Sequence, residues 1–169
     1  GMLEVDSETV EINLALGNLF CRRGEVDRAI RIHQNLIARP SLTQQHRKMA
    51  LSELGYDYMA AGLLDRAENI FKELMHDQSL KQDSLKQLLL IYQQTKDWQN
   101  AITISQDLQL SASSSLKTEI AHFYCELAEA QPHQQNSKVA MAYVKKALSV
   151  DPRCARATLI VADIEYSLG

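Results

Sequence analysis

LGYDYMAAGLLDRAENIFKEL, residues 54–74, places Leu54 and Gly55 side by side, Tyr58 three residues on, Gly62 as a break, and then Ala67, Phe71 and Leu74. Residues three and four apart lie on one face of a helix. The spacing therefore predicts one helix with Leu54, Gly55 and Tyr58 on a common face, and a second with an Ala67–Phe71–Leu74 stripe. Gly62 falls where the first helix must stop, a place that favours a left-handed residue. Gly55 and Ala67 are small, and the expected geometry has them facing each other where the two helices come closest, with the large side chains filling the seam.

The pattern recurs on both sides. Upstream, LGNLFCRRGEVDRAIRIHQNL carries Leu16, Gly17, Phe20, Gly24, Ala29 and Leu36 at matching offsets. Downstream, Leu85, Leu88, Tyr92, Ala101, Ile104 and Leu108 repeat it, with Lys96 in place of the turn glycine. Ala67 and Ala101 are 34 residues apart, the period of the tetratricopeptide repeat, whereas Gly17 and Gly55 are 38 apart, so about four residues are inserted around Arg39–Arg47. Three copies in tandem predict an all-α fold: a tetratricopeptide-repeat solenoid of antiparallel helix pairs in a right-handed superhelix, with about four repeats and a truncated fifth. The chain reads as one array, residues 1–169, with repeats near 10–42, 48–80, 82–115 and 117–153 and a partial one at 155–169.

Along the array, the first helix is expected to begin near Ser7 and end near Arg23, followed by Val26–Ala38, with Asp27 offering negative charge to the helix start. Pro40 closes that helix and Thr43 is placed to cap the next. The second pair is expected over Gln44–Ala61 and Leu64–His76, the third over Leu80–Gln94 and Trp98–Leu110, with Trp98 wedging the inter-helix turn. Ser111–Ser115 is a serine-rich connector. The fourth unit has a helix over Glu119–Ala130, a longer loop over Gln131–Asn136, and a helix capped by Ser137 with an Ala140–Val144–Ala147 stripe. Arg153–Leu168 opens a fifth unit and Gly169 lands at its turn, so the chain is expected to be a segment of a longer protein. The apolar stripe of that last helix (Ala157, Ile160, Val161, Ile164) has lost its own partner helix; it is expected to dock on the fourth pair and expose the remainder, which predicts self-association.

With 169 residues, 18 basic and 21 acidic side chains and a net charge of −3, the chain has no clustered basic face of the kind that binds nucleic acid. No apolar run reaches the ~18 residues of a membrane span, which predicts no direct membrane insertion by this segment. The three cysteines, Cys21, Cys125 and Cys154, are far apart and form no CxxC, so no zinc knuckle or thioredoxin-like site is expected, and each reads as a small buried or groove-facing thiol of a reducing compartment. No phosphate-binding loop, GxSxG or HExxH occurs, and the histidines never pair at a metal spacing. The expectation is a non-enzyme with no cofactor and no metal in this segment.

What remains is a surface. In this repeat the first helices line the concave side. The groove expected from register comprises Leu14, Asn18 and Arg22 from the first unit, and Met49, Ser52, Tyr56 and Met59 from the second. Lys86, Leu90 and Gln93 come from the third, and His122 and Cys125 from the fourth. Tyr56, Met59 and Leu90 suit either docking of a partner or packing on a neighbouring repeat.

LGNLFCRRGEVDRAIRIHQNLI, LGYDYMAAGLLDRAENIF and EIAHFYCELA, in that order and spacing, resemble the lipopolysaccharide assembly protein B family. The most specific segments are Arg22–Gln34 and Ala121–Ala128, and the resemblance runs from about Val10 to Gly169. It implies a bacterial protein with a membrane anchor, a repeat array on the cytoplasmic face of the inner membrane, and a C-terminal rubredoxin-like metal domain; this chain holds the array, a soluble segment, without the anchor or the metal domain. It implies a non-catalytic adaptor that couples the deacetylase of the lipid A pathway to a membrane-bound ATP-dependent protease, limiting lipopolysaccharide synthesis. Two readings stand beside it: a co-chaperone-like module clamping a peptide carboxylate with Asn18, Arg22 and Lys86, and a structural spacer with no peptide affinity.

Overall fold

The computed structural model describes residues 2–112, 114–132 and 136–168, with the side chains from Ser7 onward. Those residues form nine α-helices and no strand: α1 (Met2–Arg22), α2 (Val26–Ile37), α3 (Gln44–Ala61), α4 (Leu64–Leu74), α5 (Lys81–Gln94), α6 (Trp98–Ser111), α7 (Lys117–Glu129), α8 (Ser137–Val150) and α9 (Ala155–Leu168). The fold is all-α and of the tetratricopeptide-repeat type, and the ends of α2 to α9 fall within about two residues of those expected. Helix α1 does not start at Ser7; it continues back to Met2. MLEVD contains no glycine or proline to end a helix, so the Ser7 hydroxyl has no terminus to cap. Asn136, not Ser137, is the residue preceding α8, and it makes no side-chain cap. Ser113 of the serine connector, His133–Gln135 of the long loop and Gly169 lie outside the described residues.

One hairpin device is used three times. Gly24 and Gly62 have φ of 85° and 75°. After α3, the Gly62 N–H donates to Met59 C=O at 3.1 Å and the Leu63 N–H to Tyr58 C=O at 2.9 Å. This pair of bonds satisfies carbonyls that a helix end otherwise leaves bare. The same two bonds close α1 (Gly24 to Cys21, Glu25 to Phe20) and α5 (Lys96 to Gln93, Asp97 to Tyr92). Lys96 holds φ 57°, the sole positive φ away from glycine among the described residues. A Cβ in that region costs about 1 kcal/mol or more. Lys96→Gly should therefore raise stability by about 0.5 kcal/mol, the remainder being lost to the freer unfolded chain. Thermal unfolding followed by circular dichroism should show a midpoint about 1–2 °C higher.

Contacts divide the chain into two compact units, Gly1–Ser84 and Leu85–Gly169, the division falling inside α5. In the first, α2 packs on α1 and α3, α3 on α4, and α1 also on α3. Val10, Leu14, Leu36 and Ala50 form one core, with Ile37 and Leu42 against it. The α3–α4 seam holds Leu54, Tyr58, Ala67, Phe71 and Leu74, all buried as expected. The close approach differs from expectation: a Cβ on Gly55 would stand 2.8 Å from Phe71 Cζ, so the glycine makes room for the aromatic ring rather than for Ala67. In the first hairpin, a Cβ on Gly17 would stand 2.3 Å from His33 Nε2. His33 thus occupies the ring position four residues after the small Ala29, as Phe71 does after Ala67. Leu16, placed in the seam by register, is 39% exposed instead.

In the second unit, α7 packs on α6, α8 and α9, and α8 on α9. The core is built from small residues, Ala121, Cys125, Ala128, Ala140, Val144, Ala147, Cys154 and Ala157, with Ile160 at its edge. Trp98 does more than fill a turn: its ring stacks on Phe123 of α7 at 5.7 Å between centroids. Ser105 stands at the ring position of the third repeat, four residues after Ala101 and fully buried, while Leu89 stands where Gly17 and Gly55 do. Small and large have changed places between the two helices.

Candidate functional site

The first helices α1 and α3 carry a connected polar line. Arg22 Nε donates to Asn18 Oδ1 at 2.7 Å, and Asn18 Nδ2 donates to Glu53 Oε2 at 3.0 Å. Further along α3 the Tyr56 hydroxyl donates to the Asp83 carboxylate, while its ring meets Phe71 edge-on at 5.6 Å. Met49 is 41% exposed beside this line, and Ser52 and Met59 are half-buried. Glu53 and Asp83 are additions to the groove expected from register. Glu53 has a signal in the sequence, since it shares the Met49–Ser52–Tyr56 stripe at helical spacing; Asp83 stands three residues before Lys86 on α5.

In the second unit, Lys86 and His122 are exposed, Leu90 is 47% exposed and Gln93 is half-buried. Two expected groove residues are placed elsewhere. Leu14 is 8% exposed in the core with Val10, Leu36 and Ala50, and Cys125 is fully buried in the core of the second unit. Both lie on the side of their helix that the next helix covers, so neither side chain can reach a partner. A cleft of about 740 Å³ opens between the end of α7, the start of α8 and α9, lined among others by Ala128, Glu129, Ala140, Ile160, Ile164 and Leu168. Arg156 of α9 spans back to α7 beside it, with Nη2 at 3.0 Å from Glu126 and 2.9 Å from Glu129.

Two groups of the α1–α3 surface are shifted away from reactivity. Burial, then the neighbouring Asp57 and Glu53, push the Cys21 thiol up to about 11. Burial and the bond to Asp83 push the Tyr56 phenol upward as well. A thiol attacks as thiolate, so a rise of this size makes Cys21 a poor nucleophile at neutral pH. Among the described residues no group of three or more His, Cys, Asp or Glu could hold a metal, and no helix is long and apolar enough to cross a membrane. The Asn18 amide already serves Glu53, so a peptide carboxylate arriving there would meet like charge.

A buried pair ties the first two hairpins together. His33 of α2 and Asp57 of α3 are 0% and 1% exposed, and His33 Nδ1–H donates to Asp57 Oδ2. No motif marks either residue as a core position.

Comparison with known proteins matches the tetratricopeptide repeat to residues 14–48. Lipopolysaccharide assembly protein B of Escherichia coli strain K12 is 45% identical over 168 residues, covering 99% of this chain and 43% of that protein. The protein of the same name from Haemophilus influenzae is 40% identical over 163 residues, covering 95% and 41%. The chain thus spans less than half the length of these relatives. Among solved structures, MamA superposes with a TM-score of 0.53 at 15% identity, covering 96% of this chain and 84% of that one. A putative kinesin light chain with TPR-like repeats gives 0.53 at 14% identity, covering 95% of each. At such identities the structural likeness speaks for the fold alone. The resemblance first read in Arg22–Gln34 and Ala121–Ala128 holds along 99% of the chain, whose sequence is similar to a stretch of lipopolysaccharide assembly protein B and whose fold is that of the tetratricopeptide repeat.

Proposed function

We propose that this chain is a non-catalytic adaptor of lipopolysaccharide biosynthesis that binds other proteins through the exposed side of its first helices. The observation that carries the reading is the α1–α3 surface, where the exposed Met49 and half-buried Met59 lie beside hydrogen-bonded polar groups, while the titratable groups nearby are held in unreactive forms. Methionine on such a surface suits an apolar face of a partner helix. The partners, by resemblance, are the deacetylase of the lipid A pathway and a membrane-bound ATP-dependent protease. The place of action is the cytoplasmic face of the bacterial inner membrane, and this segment works without cofactor or metal. The occupied Asn18 amide argues for a partner segment presenting apolar side chains rather than a free carboxyl terminus.

Tyr56 is a poor probe, because its ring and hydroxyl are both used inside the first unit. Met49→Ser and Leu90→Ser, made separately, are better. Each should preserve helicity and weaken binding of the purified deacetylase or protease by about 1–2 kcal/mol if the residue is an anchor. Leu110→Ser is the control, since Leu110 is 87% exposed on a second helix, α6. Equal titration curves for all three variants and the parent would leave the spacer reading in possession, and competition by a peptide with a free carboxyl end would favour the co-chaperone-like one.

A further inference from the structure

Cys125 and Cys154 are 29 residues apart in sequence, yet the fold brings their sulfurs to 4.0 Å. They are 0% and 5% exposed, inside the core of the second unit. Cys125 lies in the body of α7, and Cys154 is the residue before α9, at the end of a corner in which Pro152 and Arg153 are exposed. The corner is tight, with the Cys154 N–H donating to Asp151 C=O at 3.1 Å. Two residues further, Arg156 already ties α9 to Glu126 and Glu129 of α7. Bonding distance requires the sulfurs to approach by about 2 Å, which side-chain rotation at the exposed corner can supply.

We propose that Cys125 and Cys154 are a redox pair that closes to an intramolecular disulfide on exposure to a small organic disulfide, fastening the start of α9 covalently to α7. The Cys154 thiolate, nearer the exposed corner, attacks one sulfur of oxidised glutathione; the S–S bond of that molecule breaks and one glutathione leaves. The Cys125 sulfur, after losing its proton to solvent, attacks the Cys154 sulfur of the mixed disulfide and expels the second glutathione. Two electrons pass from the two cysteines to glutathione disulfide, and the two protons end on the two glutathione thiols. Burial and the adjacent Cys154 push the Cys125 thiol up to about 12. The second attack is therefore slow at neutral pH and accelerates as pH rises. Because Ala128, Ala140 and Ile160 belong both to the core around the two sulfurs and to the cleft beside α9, closure would also hold the shape of the cleft.

The test uses the full chain carrying Cys21→Ser, so that a single pairing is open to it. The protein is incubated folded with oxidised glutathione, quenched in acid, and weighed intact by mass spectrometry before peptide mapping. The expected product is lighter by two hydrogens, carries no glutathione and joins the α7 peptide to the Asp151–Cys154 corner. Its melting midpoint should rise by roughly 5–10 °C and return on reduction. With Cys125→Ser added, the reaction should stop at one bound glutathione. Two glutathiones on the chain would overturn the proposal. So would a folded protein left unmodified under conditions that cross-link the unfolded chain, or a disulfide that lowers the melting midpoint.

Discussion

Replacing His33 by leucine is expected to destabilise the first unit by about 3–5 kcal/mol, although leucine fills a similar volume. The imidazole is the hydrogen-bond partner of Asp57, whose side chain is 1% exposed. Without it a carboxyl stays in the core with its best donor gone, and the desolvation penalty of that group falls on the folded state. Asp57→Leu should cost less, about 1–3 kcal/mol, because it leaves a single ring N–H without its acceptor. The double variant His33→Leu, Asp57→Leu should return to within about 1–2 kcal/mol of the parent. Urea unfolding of all four proteins gives the coupling directly. Additive losses would show that the pair is not an energetic unit.

The second large effect concerns the α3–α4 seam. Phe71 is 1% exposed against Gly55, and Phe71→Ala should cost about 3–5 kcal/mol through lost burial and the void it leaves. Gly55→Ala alone should cost about 1–3 kcal/mol, since its Cβ would force the ring to move. Together, Phe71→Ala and Gly55→Leu reproduce the arrangement of the third repeat, where Leu89 and the small Ser105 hold the two positions. The combined variant should recover about 1–2 kcal/mol of the Phe71→Ala loss, also because leucine is the better helix former. A combined loss as large as that of Phe71→Ala alone, or larger, would mean that the two helices cannot exchange large for small at this seam.

Much of the fold is legible in the amino-acid sequence. The 34-residue period, the seam residues and the hairpin turns follow from spacing, and Lys96 is assigned to a glycine's place because the two preceding repeats put glycine there. What is not legible depends on which side of a helix its neighbours cover. Leu14 and Cys125 sit on covered sides, Leu16 on an open one, and helical spacing by itself does not say which. His33 and Asp57 lie 24 residues apart with no motif between them. Aligning the hairpins on Ala29 and Ala67 reveals a histidine in a phenylalanine's position, and from there the need for a buried acceptor. The meeting of Cys125 and Cys154, 29 residues apart, depends on the corner before α9, whose geometry no local pattern encodes.

The His33–Asp57 pair also bears on how such a chain assembles itself. Hairpins built on one plan present similar surfaces, so each could stack on the wrong neighbour, or on a hairpin of another molecule. The position that Asp57 holds in the second hairpin belongs to the exposed Leu19 in the first and to the buried Ile91 in the third. An α2 that met the third hairpin's first helix would bury an imidazole against isoleucine, and an α3 that met the α4 of another molecule in place of its α2 would bury a carboxyl group against the Phe71 ring, each at a cost of several kcal/mol. The pair therefore works as an address, legible only to its counterpart, which directs the first hairpin to the second in a chain of look-alike parts.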